Sequence, residues 1–279
     1  MIPKTDRKLW TPPRGVVMSR PWWRQRGFFV PMPFHKRYEV DAADFDGTND
    51  NMTWGAGLIG AADSKQGIFS VWVRLDGSDG NRVRLFGNTT TVGGFTQRMS
   101  VARTNLGFFE VQCFDPSGNV ALNMRTMNTY VAGSAWYNFL ASWDCAVVGA
   151  RHLYINDISD VTVSSFVDLT IDYTVADWFV AFYSGVGGSR FSGCMAEMYF
   201  APGQYLDFSV EANRRKFILA SGRPAPLGVN GALPTGTAAL VYQRLRNNEA
   251  AANFATNRGT GGNFTITGSL DTASSSPSD

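Results

Sequence analysis

Two histidines and three cysteines are all the imidazole and thiol chemistry the chain contains. His35 and His152 cannot build a histidine-rich metal site between them. A Ser–His–Asp relay would have to use His152, and no G-x-S-x-G turn accompanies it. Cys113, Cys145 and Cys194 are odd in number, widely spaced and form no C-x-x-C pair, so no disulfide framework is expected and all three read as buried free thiols. No apolar run approaches the roughly 20 residues needed to cross a bilayer. The opening Met1-Ile2-Pro3-Lys4-Thr5-Asp6 lacks the apolar stretch of a signal peptide, which implies synthesis in a cytoplasm without membrane insertion. No Walker pattern occurs. Gly55-Ala56-Gly57-Leu58-Ile59-Gly60 matches G-x-G-x-x-G, but a strand-like segment follows Gly67 and leaves no room for the phosphate-binding helix, so the match reads as a loop.

What the sequence has in abundance is glycine (29 residues), aromatics (13%) and a moderate charge content (17%), a balance typical of an all-β globular protein. The net charge of +2 conceals a division. Residues 1–40 carry nine Lys/Arg against Asp6 and Glu39, a net +7, whereas the rest carries 16 basic and 21 acidic side chains, a net −5. The basic stretch also holds six of the twelve prolines, which exclude regular helix or central strand over most of it. Its rings distinguish it from a solvated tail. Residues 1–40 are therefore expected to be an extended docking arm, with Trp10, Arg14, Arg20, Trp22, Trp23, Arg24, Arg26, Phe28 and Phe29 as the partner-contacting set. Interleaved Arg and Trp could also contact nucleic acid, but the acidic body and the prolines favour threading along protein surfaces.

From Phe45 onward the apolar period is two. Phe69, Val71, Val73 and Leu75 share one face; Leu153 and Ile155 alternate with His152, Tyr154 and Asn156; Cys194, Ala196, Met198 and Phe200 alternate with Met195, Glu197 and Tyr199. Turns are expected at 76–80, 115–119, Asn156-Asp157 and 185–188. Many short strands at this spacing predict a sandwich or a barrel over 41–225. One helix is expected over about Ser209–Ala220, capped by Asp207 or Ser209 and stopped by Gly222 and Pro224. Leu240–Tyr242 and Asn263–Thr267 add strands within 226–279, a segment that completes or flanks the sandwich and ends in a low-complexity Ser274–Asp279 tail.

The order of motifs resembles the LamG-like jellyroll group of the concanavalin A-like lectin/glucanase superfamily. Phe45-Asp46-Gly47-Thr48-Asn49-Asp50 is similar to its F-D-G-x-x-D opening, and Phe69–Val73 to its F-T-V-x-W-V strand. Trp136–Ala141 with Leu153-Tyr154-Ile155-Asn156-Asp157 resembles its W-x-x-v-A…L-Y-I-N-G hairpin, with Asp157 in place of glycine, which a type I′ turn tolerates. Phe191–Phe200 resembles its closing strand. The likeness spans about 45–220, and the whole is most similar to structural proteins of tailed bacteriophages.

The resemblance implies an all-β, antiparallel jellyroll β-sandwich with one short helix beside the extended arm, a place in a virion and a lectin-like surface; it does not by itself fix a function. It suggests a non-enzymatic, homo-oligomeric component, a capsid decoration, fibre or tail protein, anchored by the arm and displaying the sandwich to a cell-surface glycan. The alternatives are a polysaccharide hydrolase and a free lectin. Glucanases of the superfamily carry E-x-D-x-x-E; here Glu39-Val40-Asp41 is followed by Asp44, and Glu110 and Glu197, the latter read as facing outward, lack acidic partners. No catalytic residue is therefore assigned and no cofactor is required. Asp46, Asn49 and Asp50 are a candidate calcium set, though such residues also make Asx-turns. Trp54, Trp72 and Trp178 are the candidates for stacking on a sugar ring.

Overall fold

The computed structural model describes residues 38–88, 97–182 and 190–279. Within them run β1 (Ala43–Asp46), β2 (Asn51–Trp54), β3 (Gln66–Leu75), β4 (Val83–Asn88), β5 (Met99–Arg103), β6 (Phe109–Phe114), β7 (Val120–Arg125) and β8 (Trp136–Asp144). They are followed by β9 (Arg151–Ile155), β10 (Ile158–Ser159), β11 (Thr162–Phe166), β12 (Trp178–Val180), β13 (Ser192–Pro202), β14 (Val241–Gln243), β15 (Thr265–Thr267) and β16 (Asp271–Thr272). All pairings are antiparallel, and the strands form two sheets of eight. The first runs β10-β9-β8-β3-β13-β1-β16, with β14 also on β13; the second runs β11-β7-β6-β5-β4-β12-β2-β15. This is a jellyroll β-sandwich.

Period-two patterning explains the core. Phe69, Val71, Val73 and Leu75 point inward from β3, as do Leu153 and Ile155 from β9. Phe69 stacks on Phe86 of the opposing sheet with centroids 5.7 Å apart, and Phe86 meets Phe200 at 5.1 Å. Cys113 and Cys145 lie in this core, Cys194 lies outside it, and all three are buried and free. The Asn156-Asp157 turn has φ of 50° and 69°, the left-handed pair of a type I′ hairpin. The 185–188 turn lies outside the described residues.

The outer face of the first sheet departs from the sequence expectation. Residues 206–239 lie across it as a third layer: Phe208, Phe217, Leu227 and Ala239, together with Tyr242 of β14, pack on Ile68, Leu140, Tyr199 and Ala201. Beside them, Val40, Ala42 and Ile218 cover Trp72, Cys194 and Ala196. A strand covered on both faces no longer reveals its solvent side by alternation. Trp72, expected on a polar face, is thus 3% exposed.

β13 holds the second departure. Ala196 pairs with Trp72 but Tyr199 pairs with Ser70, so one residue is extra, and Glu197 sits there at φ 48°. A bulge of one residue inverts the alternation beyond it. Met195, Met198 and Phe200 therefore face the core, while Cys194, Ala196 and Tyr199 face the third layer.

The helix α1 is a single turn, Glu211–Arg214, with no side-chain cap at Val210; Asp207 Oδ1 instead accepts Ser209 N–H at 2.8 Å before it. It stops early because Phe217 and Ile218 insert into two different outer clusters, which one continuous helical face cannot serve. The serine tail is built in. Ser275 Oγ accepts from Arg74 Nη1 at 2.6 Å and Trp136 Nε1 at 3.2 Å, and Ser278 Oγ accepts Val40 N–H at 3.0 Å.

Candidate functional site

The docking set Trp10, Arg14, Arg20, Trp22, Trp23, Arg24, Arg26, Phe28 and Phe29 lies outside the described residues. The other sequence candidates separate cleanly. Asp46 Oδ1 accepts the N–H groups of Thr48, Asn49 and Asp50 at 2.7, 3.1 and 3.3 Å, which lowers its pKa and forms an Asx-turn. Asp50 divides its oxygens between Asp46 N–H at 3.1 Å and Ser269 N–H at 2.8 Å. The calcium candidates thus spend these lone pairs on backbone. Gly55–Gly60 is a loop running into β3: Gly57 O accepts Trp54 Nε1–H at 3.1 Å, and no helix follows.

Glu197 is 2% exposed rather than outward-facing. Its Oε1 accepts Tyr38 Oη–H at 2.9 Å, its Oε2 accepts Tyr242 Oη–H at 2.8 Å, and Arg246 Nη2 lies 3.8 Å away. Burial pushes its pKa up against the pull of Arg246. Glu110 is ion-paired to Arg82. Asp41 Oδ2 caps Asn248 N–H at 2.8 Å. His152 Nε2 is 3.2 Å from Asp207 Oδ1, which also accepts Ser209 Oγ–H at 2.6 Å. Serine and histidine converge on the carboxylate instead of forming a relay, so the hydroxyl has no base. Burial lowers the pKa of His152. Asp44, Asp76 and Cys194 cluster within 4.8 Å, with Asp76 held by Arg74 Nε and Nη2, each at 2.8 Å.

The outer face of the second sheet is different in kind. One register row crosses all eight strands: Ser165, Asn123, Gln112, Ser100, Gly87, Phe179, Thr53 and Thr265 are successive partners. Each central member is flanked along its own strand by core residues, such as Leu122 and Met124 around Asn123 or Val111 and Cys113 around Gln112, so the row points away from the core. At roughly 4.8 Å per strand it spans about 34 Å. A parallel row holds Arg125, Glu110, Ala102 and Arg84.

Planar polar groups tie these rows together. Arg82 Nη2 donates to Glu110 Oε1 and, at 3.5 Å, to Gln112 Oε1, which also receives Gln97 Nε2–H at 3.5 Å. Arg84 Nη1 donates to Ser100 Oγ at 3.1 Å, and the Arg125 guanidinium lies 4.5 Å above the Phe108 ring. Gly87 is required: a β-carbon there would stand 2.6 Å from Met99 O and 3.0 Å from Phe179 Cζ.

At its β12–β2 end the row enters a cavity of 270 Å³ lined by Thr53, Trp54, Gly55, Asp177, Phe179 and Phe182, with Trp178 behind them. Trp54 and Trp178 are cross-strand partners. Trp178 is fully buried, stacks on Phe86 at 5.2 Å and donates to Val175 O at 2.8 Å, so it is a core wall. Trp54 is half-buried. Of the three candidate tryptophans, the structure leaves Trp54 with a ring able to meet a ligand. The polar face itself was missed in the sequence, although Ser100, Glu110, Gln112, Asn123 and Arg125 each alternate with core residues.

No protein-family model matches the chain, and no curated protein matches it. Its fold is similar to that of a protein from Bacteroides ovatus ATCC 8483 thought to bind carbohydrate, at 14% identity and a TM-score of 0.57 over 85% of this chain and 61% of that one. The chain thus spans less than two thirds of that protein's length. It is more distantly similar to the heptameric SAP-like pentraxin of Limulus polyphemus (12% identity, TM-score 0.45, 61% of this chain and 78% of that). The enzymatically active domain of bacteriophage CBA120 tailspike protein 2 also aligns (11%, 0.43, 69% and 27%). At these identities the likeness establishes a lectin-like β-sandwich, and the last two, below a TM-score of 0.5, carry no argument.

Proposed function

We propose that the chain is a non-enzymatic, glycan-binding component of a tailed-phage virion, anchored by residues 1–37 and presenting the outer face of its second sheet to a saccharide chain. The observation that carries the glycan reading is the polar row ending at Trp54. Saccharides offer hydroxyls that donate and accept, and ring faces of C–H groups. An oligosaccharide is matched by the amides of Gln112 and Asn123 and the Arg125 plane on one side and by the Trp54 cavity on the other, with Ser100, Gly87 and Phe179 buried between them as the floor. The +7 charge and the rings of the N-terminal 40 residues, set against a −5 remainder, support the anchoring half.

Glycan-array binding followed by calorimetry tests the first half. Trp54→Ala and Gln112→Ala should each weaken the best ligand about tenfold, on the order of 1.4 kcal/mol. An array without a bound saccharide, or a ligand indifferent to both changes, overturns it. Reducing-sugar release by the wild-type chain would overturn the non-enzymatic part. Removal of residues 1–37, which keeps Tyr38 on Glu197, should leave a folded sandwich that no longer enters particles; normal incorporation refutes the anchor.

A further inference from the structure

A second cavity, of 210 Å³, opens where the loop after β7 meets the β9–β10 hairpin, at the edge of the first sheet. Asn128, Tyr130, Tyr137, Asn156, Ile158 and Asp160 line it. None of them belongs to the polar face described above. Two walls are aromatic: the Tyr130 and Tyr137 rings meet at 74° with centroids 5.0 Å apart, which makes a corner rather than a slot.

The polar wall is organised around Asp160, which is 1% exposed. Its Oδ1 accepts the N–H groups of Met127 at 2.8 Å and Asn128 at 3.2 Å, together with Asn128 Nδ2–H at 3.2 Å. Its Oδ2 accepts Tyr130 Oη–H at 2.5 Å. Four donors engage the carboxylate, so it fixes the loop and leaves no strong ligand for a cation. Burial and this carboxylate hold the Tyr130 hydroxyl well above its ordinary pKa, which keeps it neutral. Asn156 is fixed by its own bonds, with Oδ1 accepting Asn138 N–H at 2.7 Å and Nδ2 donating to Trp136 O at 3.3 Å.

Two groups remain over. Tyr137 Oη and Asn128 Oδ1 make no hydrogen bond within the described chain, and both residues reach solvent. The mouth carries Ile158, 71% exposed, with Met127 at 60% next along the loop. The lining therefore combines ring faces, an apolar lip, neutral donors and neutral acceptors, and its single charge is already satisfied. An ionic ligand would find no counter-charge. A hydroxylated ring with one apolar face would find a partner for each of its surfaces. At 210 Å³ the space is below the roughly 300–1,000 Å³ of drug-sized pockets.

We propose that this corner is a second carbohydrate site, which takes one neutral sugar ring against Tyr130 and Tyr137 with its hydroxyls on Asn128 and the Tyr137 hydroxyl. The site is independent of the sheet face and stands whether or not that face binds glycan.

Saturation-transfer NMR on the full-length chain tests it, with D-glucose, D-galactose, D-mannose and N-acetyl-D-glucosamine as probes. At least one should receive magnetisation. Its dissociation constant should rise at least fivefold in Asn128→Ala, Tyr137→Phe and Ile158→Arg, and stay unchanged in Val229→Ala, an exposed residue that lines neither cavity. Asn128 and Ile158 are exposed, so those two variants remain readable if a tyrosine change harms folding. No transfer to any probe overturns the proposal. So does transfer abolished by Trp54→Ala and untouched by Asn128→Ala, which would place the sugar on the sheet face. Glucuronate bound more tightly than glucose overturns the neutral assignment.

Discussion

Replacing Glu197 by alanine and, separately, by glycine should give two stabilities whose order is the reverse of that in an ordinary strand. The carboxylate is the shared acceptor for Tyr38 and Tyr242, at 2.9 and 2.8 Å, and the counter-charge for Arg246, whose guanidinium lies 3.9 Å over the Tyr38 ring. Removing it strands two hydroxyls and a cation in a site where Glu197 itself is 2% exposed. Breaking a buried charged network from one side costs about 3–5 kcal/mol. The backbone adds a separate term. At φ 48° a residue bearing a β-carbon carries roughly 1–2 kcal/mol of left-handed strain, which glycine does not. In a regular strand glycine is about 0.5–1 kcal/mol worse than alanine. The net expectation is that Glu197→Ala loses about 3–5 kcal/mol and Glu197→Gly roughly 0.5–1 kcal/mol less. Equilibrium urea unfolding, with m-values unchanged between the variants, reads both. Alanine equal to or more stable than glycine would refute the bulge argument, and a loss under about 1 kcal/mol for alanine would refute the network.

Other consequences are as direct. Because burial raises the Glu197 pKa in the folded state, its contribution is fully present below the ordinary glutamate value of about 4.3 and declines as pH rises through the folded value; the stability of wild type relative to Glu197→Gln should therefore fall with rising pH, and a flat or rising difference would contradict it. Asp157 sits at φ 69° and pairs with Arg214 at 2.5 Å and Arg215 at 2.6 Å, so Asp157→Gly, which trades the ion pairs for a relaxed turn, should cost under about 1 kcal/mol, while Asp157→Ala, which loses both, should cost about 2 in the same unfolding assay. Deleting residues 274–279 removes the Ser275 and Ser278 acceptors of Arg74, Trp136 and Val40; a loss of about 2 kcal/mol should lower Tm by roughly 4–8 °C in calorimetry, whereas a solvated tail would leave it unchanged.

Alternation made the inner half of the sandwich legible. Phe69, Val71, Val73, Leu75, Leu153 and Ile155 all lie where period two puts them. It failed where a second, non-local layer supplied the missing information. Trp72 and Glu197 look solvent-facing because their neighbours alternate, but the segments that bury them, around Val40, Ile218 and Tyr242, are distant in sequence. The bulge at Glu197 is equally silent, since one extra residue leaves no compositional mark and yet moves Met198 and Phe200 to the opposite face from Cys194. The polar face was legible strand by strand and illegible as a site. Nothing local says that Asn123, Gln112 and Ser100 are in register, because register is fixed by the whole sheet.

The two sheets differ in what lies on their outer faces. Residues 206–239 seal much of the first sheet's outer face with aromatic and aliphatic side chains, and Tyr38 is bonded into that same side through Glu197 and Arg246. The last residues are fastened there too, by Ser278 on Val40. Both ends of the sandwich thus meet on the first-sheet side, where the buried surface is apolar and structural. The second sheet carries amides, hydroxyls and guanidinium groups on its outer face, with the aromatic cavity at one end of the row. Fusing a bulky partner to the C-terminus, which is fastened on the first-sheet side, should therefore leave saccharide binding intact, and lost binding would mean that the ligand face has been assigned wrongly.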